Sequence, residues 1–203
     1  MNKRGCILQV ETIPFTGVTA GIKIFSMIPK MKTIPGKKVK LDWHPTHSGH
    51  LEDDNTVNSA EAEGMVHVPL ENWRKPNFRY KIYRPLFGAE NIEIAIQELN
   101  RNIGEGYNFL QFAGFMFKRF WCEVINLLIP DLINIKQLKN WFPNGDVCSE
   151  RLRRYLSILT VGLSIPLRLD LIVWNENIIH PVDLQILINK YPEYFEEVES
   201  WGF

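Results

Sequence analysis

The chain has 203 residues, of which 45% are hydrophobic and 23% are charged, a composition typical of a folded globular protein rather than a disordered one. Its 23 basic and 23 acidic side chains give a formal net charge of zero. Because affinity for phosphate backbones depends on an excess of cations, this balance argues against a protein that coats nucleic acid. We therefore expect no nucleic-acid partner.

Neither a signal peptide nor a transmembrane segment is predicted. The apolar run at 6–10 ends at Glu11 and is shorter than the roughly 7–15 apolar residues of a secretory signal. The most apolar stretch, 109–133, is interrupted by charged residues and by Pro130, whereas a membrane span needs about 20 largely uncharged residues. The sequence therefore predicts a soluble protein.

Short strands and turns are predicted over the first half of the chain. Alternating or β-prone runs predict strands at 6–10, 38–43, 46–52, 56–60, 64–68 and 79–83. Turn-forming residues predict turns at 14–17 and 53–55, and the stretch 18–31 fits either a short helix or irregular structure. Because the connections are too short for crossover helices, we expect an antiparallel meander.

Helical periodicity replaces this alternation after residue 88. It predicts helices at 92–103, 109–128, 148–163 and 181–191. Strands followed by helices are typical of an α+β fold. We therefore predict one domain over 1–203, strand-rich over 1–88 and helical over 89–203, with an aromatic-rich insertion near 109–147.

A cysteine lies at the predicted start of a helix. The turn-forming run 143–146 brings Cys148 into the first turn of the helix predicted at 148–163. The free backbone N–H groups and the partial positive charge of a helix N-terminus stabilise a thiolate and can hold an oxyanion. The alternative is that Cys148 is a small buried hydrophobic residue.

Three histidines close together supply a candidate base for this thiol. The spacing of His44, His47 and His50 resembles that of metal ligands, but Pro45 disfavours a helix there. On a strand, His47 points away from the other two, so we expect no metal site. His47 facing the cysteine helix is the preferred functional interpretation, and a structural role for each histidine is the alternative.

A third polar group is needed to orient the imidazole. The hairpin that follows the 53–55 turn brings Asn58, Ser59 and Glu61 back alongside the predicted His47 strand. Glu61 is preferred because a carboxylate also stabilises the imidazolium, although a solvated charge in an acidic loop is equally consistent.

No phosphate-binding or dinucleotide-binding motif is found, so no cofactor is expected. The Arg151–Arg154 region is interpreted as a solvated face.

The order of these segments resembles that of the circularly permuted papain-like cysteine hydrolases of the NlpC superfamily, which includes YiiX-like amidases and, more distantly, lecithin:retinol acyltransferases. The resemblance depends on the segments 46–49, 53–55, 60–64, 66–70, 79–85, 106–109, 148–150 and 180–184. It implies a permuted papain-like fold in which antiparallel strands of the first half pack on helices of the second. It also implies that Cys148 is the nucleophile and His47 the general base.

The same resemblance implies a thiol hydrolase that cleaves an amide or ester through an acyl-enzyme, with peptidoglycan peptides as the first candidate substrate. One alternative is a lipid amidase or acyltransferase that uses an apolar surface within 109–133. The other is a non-catalytic scaffold that retains the fold, for example in a bacteriophage virion or tail. The 109–147 region is a candidate contact for a protein partner. A cytoplasmic or virion-associated location is expected.

Overall fold

The computed structural model describes residues 2–13, 43–61, 64–106, 148–173 and 179–203, together with scattered positions between 117 and 132. Among these residues, six strands form one antiparallel sheet accompanied by four helices, an α+β architecture as predicted. The strands are β1 (Ile7–Thr12), β2 (His47–Leu51), β3 (Thr56–Glu61), β4 (Gly64–Pro69), β5 (Phe78–Pro85) and β6 (Phe195–Trp201). The helices are α1 (Ala89–Asn100), α2 (Cys148–Leu159), α3 (Pro166–Val173) and α4 (Pro181–Lys190).

The strand order is β4-β3-β2-β1-β5-β6, so the predicted meander is correct only from β1 to β4. β5 does not continue outward from β4 but returns to the other edge of β1, where Tyr83 pairs with Ile7. The physical reason is that β1 is buried, so the backbone N–H and C=O groups along both of its edges need hydrogen-bond partners, which β2 and β5 supply.

The last strand corrects the prediction that 89–203 is entirely helical. β6 pairs with β5 at the edge of the sheet, although its sequence is rich in glutamate. The glutamates face cations across the strand pair: Lys81 lies 2.8 Å from Glu197, and Arg84 lies 2.8 Å from Glu196. Opposite charges on adjacent strands stabilise such an exposed edge. Helix α3 was also not predicted.

The other predicted elements have mixed outcomes. The helices predicted at 92–103, 148–163 and 181–191 are present as α1, α2 and α4, with α1 beginning and ending earlier than predicted and α2 ending earlier. The turn at 14–17 and the stretch 18–31 lie outside the described residues, as does the 38–43 strand except for Trp43. Only scattered positions of the 109–128 helix are described.

Two hydrophobic clusters lie on opposite faces of the sheet. On one face, the apolar stripe of α2 is buried with residues of α1, α3 and α4 and with Ile7 and Tyr83 of the sheet. The Tyr155 hydroxyl of α2 also donates a hydrogen bond of 2.6 Å to the Gly5 carbonyl, just before β1. The second cluster includes Leu8, Val10, Leu51, Val57, Tyr80 and Ile82. This packing fixes α2 against the sheet.

No helix within the described part of the chain is long and apolar enough to cross a membrane.

Candidate active site

Cys148 is the first residue of α2, as the sequence predicts. Its side chain is 8% exposed and packs with Ala60 of β3 and Met65 of β4. The helix that carries it is held against β2 and β3 by its buried apolar stripe. The thiol is therefore carried by a packed helix, at the end where the first backbone N–H groups have no partner within the helix.

His47 is the first residue of β2 and lies within hydrogen-bonding reach of Cys148. Burial by itself would lower the pKa of His47, but the charge of the Cys148 sulfur, the hydrogen bond to that sulfur and the charge of Glu61 together raise it to about 9. An imidazole with this pKa is positively charged near neutral pH. The charged, imidazolium form of His47 is therefore favoured beside the Cys148 sulfur.

A hydroxyl and a carboxylate lie on the other side of the imidazole. Nε2 of His47 is 2.6 Å from Oγ of Ser59, and Oγ of Ser59 donates a 2.6 Å hydrogen bond to Oε1 of Glu61. The same carboxylate oxygen is 3.4 Å from Nε2 of His47. Ser59 and Glu61 are two residues apart on β3, so they share one face of the strand.

The third predicted candidate, Asn58, lies elsewhere. It is on the opposite face of β3, where its side chain bonds to Glu52, Asn100 and Arg151. Of the three residues considered from sequence, the structure brings Ser59 and Glu61 to His47 and directs Asn58 away from it.

Sequence reasoning missed an aromatic residue beside the histidine. Trp73, in a 3-10 turn after β4, stacks on the His47 ring with centroids 5.0 Å apart and an interplanar angle of 23°. Phe78 packs edge-on against Trp73. The indole covers one face of the imidazole and limits the access of water to it. No periodicity in the sequence identifies Trp73, because it lies in a turn and reaches His47 only through the fold.

His50 has a different environment from His47. Its ring is buried and stacks on that of Tyr155, with the two centroids 4.9 Å apart. Nε2 of His50 lies 3.1 Å from Oε1 of Glu52. Burial lowers the pKa of His50, so the ring is neutral near pH 7 and Nε2 donates to the carboxylate. His47 and His50 therefore have separate partners, in agreement with their predicted opposite orientations on the strand.

Arg151 corrects the interpretation of the 151–154 region as a solvated face. Its side chain is 2% exposed, with Nε bonded to Oδ1 of Asn58 at 2.8 Å and Nη2 bonded to the Leu99 carbonyl at 2.7 Å. The available signal was its position: Arg151 follows Cys148 by three residues and precedes Tyr155 by four, so it lies on the buried stripe of α2.

The described site thus contains a thiol at a helix start, an imidazole with a raised pKa, and a hydroxyl bonded to a carboxylate behind the imidazole. Such a set can form a thiolate, accept a proton and return it to a leaving group.

Comparison of the chain with protein-family models, with curated proteins and with solved structures found no match.

Proposed function

We propose that the protein is a cysteine hydrolase with a permuted papain-like arrangement, in which Cys148 is the nucleophile and His47 is the general acid and base. The observation that carries this proposal is the environment of His47. The ring interacts with Cys148 and is bonded to Ser59, which is itself bonded to Glu61. A partly buried histidine with these neighbours is suited to proton transfer rather than to packing alone.

The reaction begins from the ion pair of Cys148 and His47. The thiolate attacks an amide carbonyl carbon, and the negative charge moves to the carbonyl oxygen, which N–H groups at the start of α2 can stabilise. When the carbon–nitrogen bond breaks, the His47 imidazolium gives its proton to the departing amine. A thioester on Cys148 and a neutral imidazole remain.

Water completes the cycle. The neutral His47 accepts a proton from a water molecule as the oxygen of that molecule attacks the thioester. The carbon–sulfur bond then breaks, and the acid product leaves. The thiolate and the imidazolium are both restored, so one water is consumed for each amide cleaved.

The supporting groups keep the imidazole ready for both steps. In the charged ring, Nε2–H donates to Ser59, and the Ser59 hydroxyl donates to Glu61, so the positive charge is compensated along a short chain of hydrogen bonds. Trp73 covers a face of the same ring. Exclusion of water strengthens these charge interactions.

An amide in a peptidoglycan peptide is the proposed substrate, and the support for it is the resemblance of the motif order to the NlpC superfamily. The test is to incubate the protein with soluble peptidoglycan fragments and to follow released amines and the intact protein mass. Turnover should be accompanied by an acyl adduct on Cys148. Cys148→Ala and His47→Ala should each reduce turnover by at least about a thousandfold.

Cys6→Ala is the matched control, because Cys6 is buried in the cluster on the other face of the sheet. It should retain turnover. Turnover that survives Cys148→Ala would contradict the mechanism. Cleavage of lipid esters or amides alone would retain the mechanism and reject the peptidoglycan substrate. A Cys148 that is unreactive in every assay would favour the non-catalytic scaffold.

A further inference from the structure

A buried arginine connects three elements next to the candidate site. Arg151 of α2 reaches Asn58 of β3 through Nε and the carbonyl of Leu99 in α1 through Nη2, at 2.8 and 2.7 Å. Its side chain is 2% exposed. A guanidinium makes both bonds from a planar fork, so it fixes direction as well as distance.

The acceptor of this bond is itself held in place. Nδ2 of Asn58 donates to Oε1 of Glu52 at 3.0 Å and to Oδ1 of Asn100 at 2.7 Å. Nδ2 of Asn100 donates to Oε2 of Glu52 at 3.1 Å. Each amide group thus has a defined partner, so the network has one well-determined orientation.

Glu52 anchors this network as an ionised group. Burial by itself would raise the pKa of Glu52, but hydrogen bonds from His50, Asn100 and Asn58 lower it to about 2. The carboxylate is therefore charged over the physiological range. Its charge also compensates that of the buried Arg151, with which it shares Asn58 as a bonding partner.

The positions of these bonds along the chain relate them to the site. Arg151 lies one helical turn after Cys148, and Asn58 is the residue before Ser59. The bond between Arg151 and Asn58 therefore ties the first turn of α2 to the part of β3 that holds His47. A change in this bond would alter the distance between the Cys148 sulfur and the His47 imidazole. Reactivity depends steeply on such distances.

We propose that Arg151 is a positioning residue, which through Asn58 sets the first turn of α2, and with it Cys148, against the β3 segment that holds His47. This inference rests on the proposed function. It assigns Arg151 no contact with substrate. It differs from a general stabilising role, because it states that the alignment of two reactive groups depends on the fork geometry and not only on the charge.

Arg151→Lys tests the inference, because lysine keeps the charge but replaces the planar fork by a single ammonium group. The readouts are alkylation of Cys148 by iodoacetamide, followed by peptide mass at about pH 6, and the pKa of His47 from its NMR titration. We expect labelling to slow about tenfold, comparable with the loss of supporting groups at metal sites. The pKa of His47 should fall toward its ordinary value of about 6.5.

Arg153→Lys is the matched control, since Arg153 lies on the same helix and bonds the Leu171 carbonyl of α3 at 3.0 Å, away from β3. It should leave both readouts unchanged. Glu61 and Ser59, which also face His47, are intact in both variants. Any change in the titration of His47 is therefore attributable to its alignment with Cys148.

The outcomes separate this inference from the proposed function. If the wild type shows an activated thiol and Arg151→Lys matches it in both readouts, the inference is wrong and the proposed function stands. If the wild-type thiol is not activated, the proposed function itself fails. If circular dichroism shows that Arg151→Lys does not fold, Arg151→Gln takes its place, because glutamine buries no charge. It is measured in the same way and judged by the same criteria.

Discussion

Oγ of Ser59 lies 2.6 Å from Nε2 of His47, whereas Oε1 of Glu61 is 3.4 Å from the same nitrogen. The serine hydroxyl is thus the direct partner of the imidazole. Glu61 acts mainly through this hydroxyl, from which it accepts a hydrogen bond of 2.6 Å. The proposed catalytic set therefore has four members, the Cys148 thiol, the His47 imidazole, the Ser59 hydroxyl and the Glu61 carboxylate, instead of three.

Ser59→Ala should impair the site. The substitution removes the hydroxyl that bonds to the charged imidazole, and a hydrogen bond to a charged group typically contributes about 1.5–3 kcal/mol. We expect the pKa of His47 to fall and the labelling of Cys148 at about pH 6 to slow by tenfold or more. NMR titration and timed alkylation measure the two effects.

Ser48→Ala is the control for loss of a buried serine. Ser48 is on β2, beside His47 in sequence, but its hydroxyl donates to Gln9 at 2.8 Å and not to the site. Equal losses of reactivity in the two variants would show that the effect of Ser59 is general destabilisation and would contradict its direct role.

The raised pKa of His47 predicts how stability depends on pH. In the unfolded chain the pKa is about 6.5, and in the fold it is about 9. The folded state therefore binds the proton more tightly, so this contribution is fully present below pH 6.5 and is lost as the pH rises through 9. We expect the difference in free energy of unfolding between wild type and His47→Gln to shrink over this interval by roughly 1–3 kcal/mol.

Urea unfolding at a series of pH values gives this difference directly, and packing losses contribute only a constant. His50→Gln provides a control of opposite sign. Since burial lowers the pKa of His50, its contribution is present above about pH 6.5 and declines as the pH falls. The groups facing it, Glu52, Arg151 and His67, are unchanged in that variant. A pH-independent difference for His47→Gln would contradict its assigned charge state.

Gly64 is required by the close approach of β4 to the loop after α1. Its φ is +120°, and a Cβ at this position would lie 2.3 Å from the Glu105 carbonyl oxygen, which is backbone. The neighbouring Met65 N–H donates to that same oxygen at 2.8 Å, so the loop is held in place. Gly64→Ala should lower the free energy of unfolding by about 2 kcal/mol or more.

Gly88→Ala is the comparison for this substitution. Gly88 has a φ of −58° and nothing within 4 Å of an added Cβ, so alanine fits there. It should cost less than about 1 kcal/mol, the value of a helix N-cap preference. Thermal unfolding of both variants measures the contrast, and a tolerated Gly64→Ala would refute the constraint at β4.

The fold was predictable where its cause is local. The alternation in β4 and β5 and the leucine spacing in α2 reflect burial mainly on one face, and those elements are present. The return of β5 to β1 and the pairing of β6 depend on contacts distant in sequence. The glutamates of β6 also conceal its strand character, because their partners Lys81 and Arg84 lie more than a hundred residues away.

The site, like the fold, has some features that the sequence predicts and others that depend on contacts distant in sequence. Cys148 and His47 could be nominated from residue type, turn chemistry and segment order, and the structure brings them together. Strand alternation could have separated Asn58 from Ser59 and Glu61, since it faces the other side of β3. Trp73 and the bond between Arg151 and Asn58 were not predictable, because each depends on how the elements pack.

If Cys148 and His47 form an activated pair, the pH dependence of Cys148 alkylation should show it. Labelling by iodoacetamide is followed by peptide mass in wild type and His47→Ala. Cys6 serves as the internal reference, because burial raises its pKa against the opposing effect of Arg84 and Lys3.

We expect Cys148 to label readily at about pH 6, well below the ordinary thiol pKa of about 8.5, and we expect His47→Ala to remove this low-pH reactivity. Cys6 should stay unreactive there in both proteins. Labelling of Cys148 that rises only near pH 8.5, with the same profile in His47→Ala, would contradict the account.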